Sequence, residues 1–406
     1  MSAEPAPRAQ AAAHGPGTVE FIALVAMLFA TVAFSIDAML PAFPEIAATL
    51  TPEAPNRAQL VVTAFVFGMG LGTLFTGPLS DAFGRKPVIV AGAALYCLAA
   101  LWAGVAGSLE SLLAARVVQG LGAAAPRVVT LAIVRDLHAG RRMARVMSFA
   151  MMVFTLVPAV APLMGAGIIA LAGWRGIFAA FVAFSLVSTL WLALRQPETL
   201  PPEARRPFRA AVLVEGIAEV IRRRRVVLAI LAQTLAFAML FTNLASNQQV
   251  FDITFGRAAS FPWWFAGIAL IAGTGSFLNA QIVERLGMRR VAAVTLAVLS
   301  AISLAAALAL WAGLSGDLGF AVYLFWNTAI FFSAGLTLGN LNALAMEPLG
   351  HIAGMAASIV GALATVGSVA IAVPLGLTFD GTPVPLMLGV AACALGALML
   401  VRAIGD

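Results

Sequence analysis

Twelve predominantly apolar stretches, the first at 21–42 and the last at 384–403, follow one another along a 406-residue chain and leave only short polar intervals between them. Each is about twenty residues long, the length an α-helix needs to cross the hydrocarbon core of a bilayer. With 62% hydrophobic and 10% charged residues and a mean hydropathy of +0.99, the chain would expose far more apolar surface than water tolerates, so an ordinary soluble domain is excluded. The pattern predicts an all-α integral membrane protein of twelve transmembrane helices.

Basic residues give the orientation. Nineteen arginines and lysines fall in the tail and loops of one side, among them Arg222 to Arg225, and three fall on the other, Arg57, Arg175 and Arg257. The positive-inside rule then puts both termini in the cytoplasm, and the net charge of +6 reflects topology, with no nucleic-acid partner implied. Residues 1–20 are polar and rich in Ala, Pro and Gly, without a cleavage pattern, and are expected to be a disordered cytoplasmic tail. The proline- and arginine-rich interval 196–225 reads as a cytoplasmic linker between two six-helix bundles, 21–195 and 226–406. An internal echo supports that division: Asp81-Ala-Phe-Gly84-Arg-Lys86 returns as Glu284-Arg-Leu-Gly287-Met-Arg289, 203 residues later, the parallel repeat of a transporter that rocks about a central site.

Three charged side chains lie well inside the spans: Asp37, Arg116 and Arg127. Ionisable groups are costly at that depth, so function or pairing is the default reading. Asp37 near the outer end of the first span and Arg116 in the fourth lie at similar depth, where they either pair or share a water-filled cavity. Arg127 follows Arg116 by eleven residues, on nearly the same helical face; it faces the cavity or snorkels to the cytoplasmic surface. Gln119 lies near the same stripe. Gln233, Phe237 and Asn247 on the seventh span, Trp326 and Asn327 on the tenth, and Phe34 on the first complete the candidate cavity wall. Cys97 and Cys393 read as small hydrophobes. No metal site, Walker loop or nucleophile with a nearby base is discernible, so neither an enzyme nor a cofactor is expected.

The loop Gly77-Pro78-Leu79-Ser80-Asp81-Ala82-Phe83-Gly84-Arg85-Lys86 resembles the cytoplasmic signature of the major facilitator superfamily, between its second and third helices. Asp37-Ala-Met-Leu-Pro41-Ala-Phe-Pro44 and Arg116-Val-Val-Gln119-Gly120-Leu-Gly122 resemble the first- and fourth-helix elements of the bicyclomycin- and chloramphenicol-resistance branch of drug:proton antiporters. The resemblance extends through Arg135-Asp136, Gln249-Val250-Phe251, Asn279-Ala280 and Gly350-His351-Ile-Ala353-Gly354. It implies a bacterial inner-membrane transporter that exports small hydrophobic or amphipathic drugs by alternating access in exchange for protons; nothing in the sequence requires more than a monomer. Asp37 and Arg116 would then couple the proton; Gly77, Asp81, Gly84, Arg85, Lys86 and Asp136 would latch the cytoplasmic side. The family's fifth-helix signature is altered here to Ala161-Pro162-Leu-Met-Gly165, where Pro158, Pro162 and Gly165 predict a kinked, closely packed helix. A physiological metabolite as cargo on the same fold is the alternative, ahead of a polytopic membrane enzyme or sensor.

Overall fold

The computed structural model describes residues 15–404, except for the side chains of Ala144, Met151 and residues 153–155. Residues 1–14 of the expected tail lie outside the described residues; of the rest, Thr18 to Glu20 already belong to the first helix. All regular structure among the described residues is helical: α1 (Thr18–Asp37), α2 (Phe43–Leu50), α3 (Leu60–Phe83), α4 (Arg85–Gly104), α5 (Leu109–Leu137), α6 (Gly140–Arg195), α7 (Ala210–Arg222), α8 (Arg224–Gln249), α9 (Phe261–Leu286), α10 (Met288–Trp311), α11 (Gly316–Met346), α12 (Ala353–Leu377) and α13 (Val384–Ala403), with short 3-10 turns between them and one π-helical turn, Val250–Thr254.

Ten helical segments are long and apolar enough to cross a membrane. Two of them are compound. Gly173 breaks α6 with φ 66° and ψ 179°, a conformation that only glycine adopts without strain. The 62-residue segment Gly316–Leu377 joins α11 to α12 through the 3-10 turn Glu347–Ile352, where Leu349 leaves helical geometry. Pro348 at the head of that turn offers no backbone donor to prolong α11.

Interval 196–225, expected as a plain linker, carries α7. Leu213, Gly216 and Val220 bury one face of this helix against α12 and α8, and Glu219 holds it down by accepting from Arg223 at 2.8 Å and bonding His351 at 2.8 Å. Run-by-run hydropathy missed it because thirteen residues with three charges, Glu215, Glu219 and Arg222, do not make a spanning segment.

The two loops that echo each other in sequence also match in shape. Gly84 (φ 101°, ψ 160°) and Gly287 (φ 80°, ψ 147°) each turn one helix directly into the next.

Candidate functional site

Glycine brings α3 and α5 into backbone contact. A Cβ on Gly68 or Gly72 would strike the backbone of Val117 or Leu121, and one on Gly120 would strike that of Phe65 and Met69. In lipid there is no hydrophobic drive between helices, so such close packing is what joins them. The consequence is a stiff pair, of which α5 carries both deep arginines.

Arg116 is fully buried. Its Nε donates to the Val61 carbonyl at 3.1 Å, Nη1 to Gln119 Oε1 at 2.7 Å and Nη2 to the Ser35 carbonyl at 2.9 Å. The guanidinium also lies over the Phe65 ring, 4.4 Å from its centroid. The charge is therefore compensated by dipoles and a π face. Asp37, 5% exposed, has no hydrogen-bond or ion-pair partner among the described residues. The pairing of Asp37 with Arg116 allowed by their depths is absent; the fork of Arg116 is filled by three other acceptors, one of them only two residues before Asp37. Ser35 in turn shares a 2.5 Å hydrogen bond with Tyr96. Sequence reasoning missed Ser35, Val61 and Tyr96. Tyr96 was signalled: the chain has only two tyrosines, and both are fully enclosed within helices.

Arg127 is half-buried, and its Nη1 reaches Met69 Sδ at 3.6 Å. Since Gly120 is level with Met69, the Cα of Arg127 lies seven residues, about 10 Å, further along α5. The side chain thus reaches back toward the middle of the helix pair, as helical Cα–Cβ bonds direct it, and away from the Asp81 end. That geometry is opposite to snorkelling toward the cytoplasmic surface.

The remaining cavity candidates separate into two groups. Phe34 packs on Phe181 and Phe184, with ring centroids 5.4 and 5.3 Å away, and Trp326 donates to Ser303 Oγ at 2.9 Å inside the α10–α11 interface; both were expected on a cavity wall and are core residues instead. Large rings inside a span satisfy packing as well as they do a ligand, which periodicity does not distinguish. Asn247 and Asn327 are fully buried in an amide network: Asn243 donates to Asn327 at 2.6 Å, and Asn327 and Tyr323 donate to Asn247 Oδ1 at 3.0 and 2.7 Å. Gln233 keeps a buried, unpartnered Oε1, and Phe237 is half-buried and stacked on Phe241.

At the loop end, Arg85 gathers Asp81 (2.5 Å), Asp136 (3.0 Å) and Ser80 Oγ (2.8 Å). Glu198, which sequence reasoning missed, accepts from the backbone N–H groups of both Arg85 and Lys86 at 3.0 Å, a carboxylate on the first turn of a helix where the macrodipole favours it. Gly77 faces Ser358 Oγ of α12, and Gly165 lies against the backbone of Ala38 beside Asp37; Pro158 and Pro162 lie in the same arm of α6. At the opposite end Asn56 donates to the carbonyls of Leu377 and Phe379 at 3.1 and 3.3 Å, and Ser246 donates to Gln59 at 3.1 Å. The α3–α12 seam from Gln59/Gly376 to Gly77/Ser358 covers eighteen residues, about 27 Å of helix, close to a bilayer's hydrocarbon thickness. Among the described residues no three His, Cys, Asp or Glu side chains cluster as a metal site.

The family model described as Major Facilitator Superfamily matches residues 23–373. The chain belongs to the major facilitator superfamily. It is 30% identical over 387 residues to the bicyclomycin resistance protein homolog of Haemophilus influenzae, covering 93% of this chain and 94% of that one. It is also 38% identical over 166 residues to a chloramphenicol resistance protein of Pseudomonas aeruginosa, covering 40% and 39% of the two chains. Among solved structures, a D-xylose-proton symporter superposes with a TM-score of 0.74 at 16% identity, over 95% of this chain and 97% of that one; at that identity the likeness is one of fold. These relatives place the chain in the resistance-protein branch that its motifs resemble, as a multi-pass membrane transporter and not an enzyme.

Proposed function

We propose that this protein is a proton-driven exporter of small amphipathic molecules, working by alternating access between a bundle formed by 21–195 and one formed by 226–406, joined by 196–225. Counting each compound segment as two helices turns ten spans into twelve. Both termini are cytoplasmic in a bacterial inner membrane, and the monomer is the working unit.

The observation that carries the reading is Asp37: a carboxylate buried without a partner, beside a carbonyl held by a buried arginine. A group so placed is free to take up and release a proton as its surroundings open to one side or the other. The names of the relatives, which concern resistance to bicyclomycin and chloramphenicol, support drug-like cargo. In the cycle Asp37 takes a proton from the outer side and releases it inward; Arg116 fixes the end of α1; the Arg85 cluster braces the end of α3 that meets Ser358, and that end and the Asn56 contacts close the seam in turn. The test is Asp37→Asn in proteoliposomes carrying a pH gradient. The variant should fold normally and bind cargo, yet lose gradient-driven accumulation; full gradient-driven transport would remove Asp37 from the coupling step.

A further inference from the structure

Of the two arginines deep in the spans, only Arg116 has its charge matched by oxygen acceptors. Arg127 offers its guanidinium to a thioether, a weak acceptor, and stays half-buried. On the α5 wheel it falls between the residues that touch α3, Val117, Leu121 and Ala124, and the face of Arg116 and Gln119. That direction looks past the edge of α3, which is the edge α12 packs on.

The register across that seam fixes what shares its depth. Gly70, next to Met69, lies against Thr365 and Val366 of α12, and Gly367 lies against Thr234 of α8. Gln233, with its unpartnered buried Oε1, is the neighbour of Thr234, and Phe237 is one turn away, stacked on Phe241 with centroids 5.6 Å apart. A guanidinium whose one hydrogen bond among the described residues is to a thioether, an amide oxygen without a donor and the Phe237 ring therefore lie at similar depth, within about a turn, with Phe241 a further turn along α8.

We propose that Arg127 is the anion-recognition group of the translocation path and that the preferred cargo is a small aromatic monoanion. This deepens the transport reading above and rests on it. The carboxylate accepts from the guanidinium in a bidentate pair, the aromatic body lies against Phe237 and Phe241, and a donor on the ligand satisfies Gln233 Oε1. No carboxylate on α3, α5, α8 or α12 pairs with Arg127 among the described residues, so an anion meets no competing internal partner. A cation would meet an unscreened like charge.

Equilibrium binding to the purified protein, without a gradient, tests this using para-hydroxybenzoate, para-hydroxybenzamide and para-hydroxyphenyltrimethylammonium at neutral pH, each of which carries the same hydroxyl donor. The wild type should bind the anion at least about tenfold more tightly than the amide, and the cation weakest. Arg127→Gln should bring anion and amide to the same affinity with an unchanged melting temperature, and Arg127→Lys should restore most of the preference. Equal affinities in the wild type, a preference for the cation, no binding of any of the three, or an anion preference that survives in Arg127→Gln would each overturn the proposal. Because binding is read without a proton gradient, its failure is separate from that of the Asp37→Asn transport test.

Discussion

Arg116 provides the sharpest test of whether a buried charge here serves stability or transport. Its three hydrogen bonds run to α1, α3 and α5 itself, at 2.9, 3.1 and 2.7 Å, and only a planar fork reaches three such acceptors at once. In Arg116→Lys the charge stays and at least two of the bonds go. At about 1.5–3 kcal/mol for each bond to a charged group, the gross loss is about 3–6 kcal/mol. Relaxation of the site returns part of it, so a net destabilisation of about 2–4 kcal/mol is expected, a shift of about 30- to 900-fold in the unfolding equilibrium. Arg116→Met removes the charge along with all three bonds and leaves Gln119 Oε1, whose amide nitrogen is already unpartnered, buried without its donor. The methionine variant sets that unmet acceptor, a cost of about 1–3 kcal/mol, against relief of a desolvated charge, so it should be no less stable than the lysine variant, while losing transport. Unfolding of all three proteins in mixed micelles, monitored by circular dichroism, gives the ranking. A lysine variant as stable as wild type, or a methionine variant less stable than the lysine one, would refute the reasoning.

Three further outcomes follow from the Asp81 loop and from α7. Gly84→Ala puts a Cβ on a residue at φ 101° and 2.8 Å from Glu198 Oε2; a loss of about 1–3 kcal/mol is expected, read as a lower melting temperature. Asp136→Ala should cost more than Asp81→Ala, because Arg85 is 10% exposed and Asp136 24% while Asp81 is 51%: about 1–2 kcal/mol against less than about 1, by the same unfolding assay. The hydrogen bond from Arg223, helped by His351, holds the Glu219 carboxyl below its ordinary 4.5. Since a depressed carboxyl contributes its stability above that ordinary value and loses it as pH falls through the folded one, the hold on α7 should loosen modestly below about pH 4.5, seen as somewhat faster amide exchange over 210–222, and Glu219→Gln should abolish that acid-dependent step.

Membership in the fold was legible because two signals reinforce one another: hydropathy at spanning length and an ordered Gly/Asp/Gly/Arg loop whose geometry requires glycine at 84. The deep charges were legible for the same reason, since an apolar background makes each one visible. What stayed hidden was set by direction and not by depth. Phe34 and Trp326 carry the residue types of a ligand wall but point into the core, and no pattern within a uniformly apolar helix marks the difference. Ser35, Val61 and Glu198 act through backbone carbonyls or backbone N–H groups. Such partners leave almost no trace in side-chain chemistry. The choice for Arg127 turned on one contact, with Met69, which fixed the sense in which the side chain runs.

The helix that makes these separate features one device is α3. One edge of it touches α5 so closely that Gly68 and Gly72 leave no room for a side chain, and it supplies the Val61 carbonyl and Met69 sulfur that meet the two arginines. Its other edge meets α12 through Gly70, Thr73 and Gly77. Small residues on both edges make the first contact rigid, because backbone meets backbone, and the second slippery, because Thr365, Gly361 and Ser358 present little to interlock. Close-packed interfaces are bistable, not continuously deformable. A tilt of α3 against α12 therefore carries Arg116 and Arg127 together with it, and Ser35, bonded to Arg116, draws the end of α1 and Asp37 along. Proton site and anion site would then change their exposure in a single motion, which is the coupling an exchanger requires.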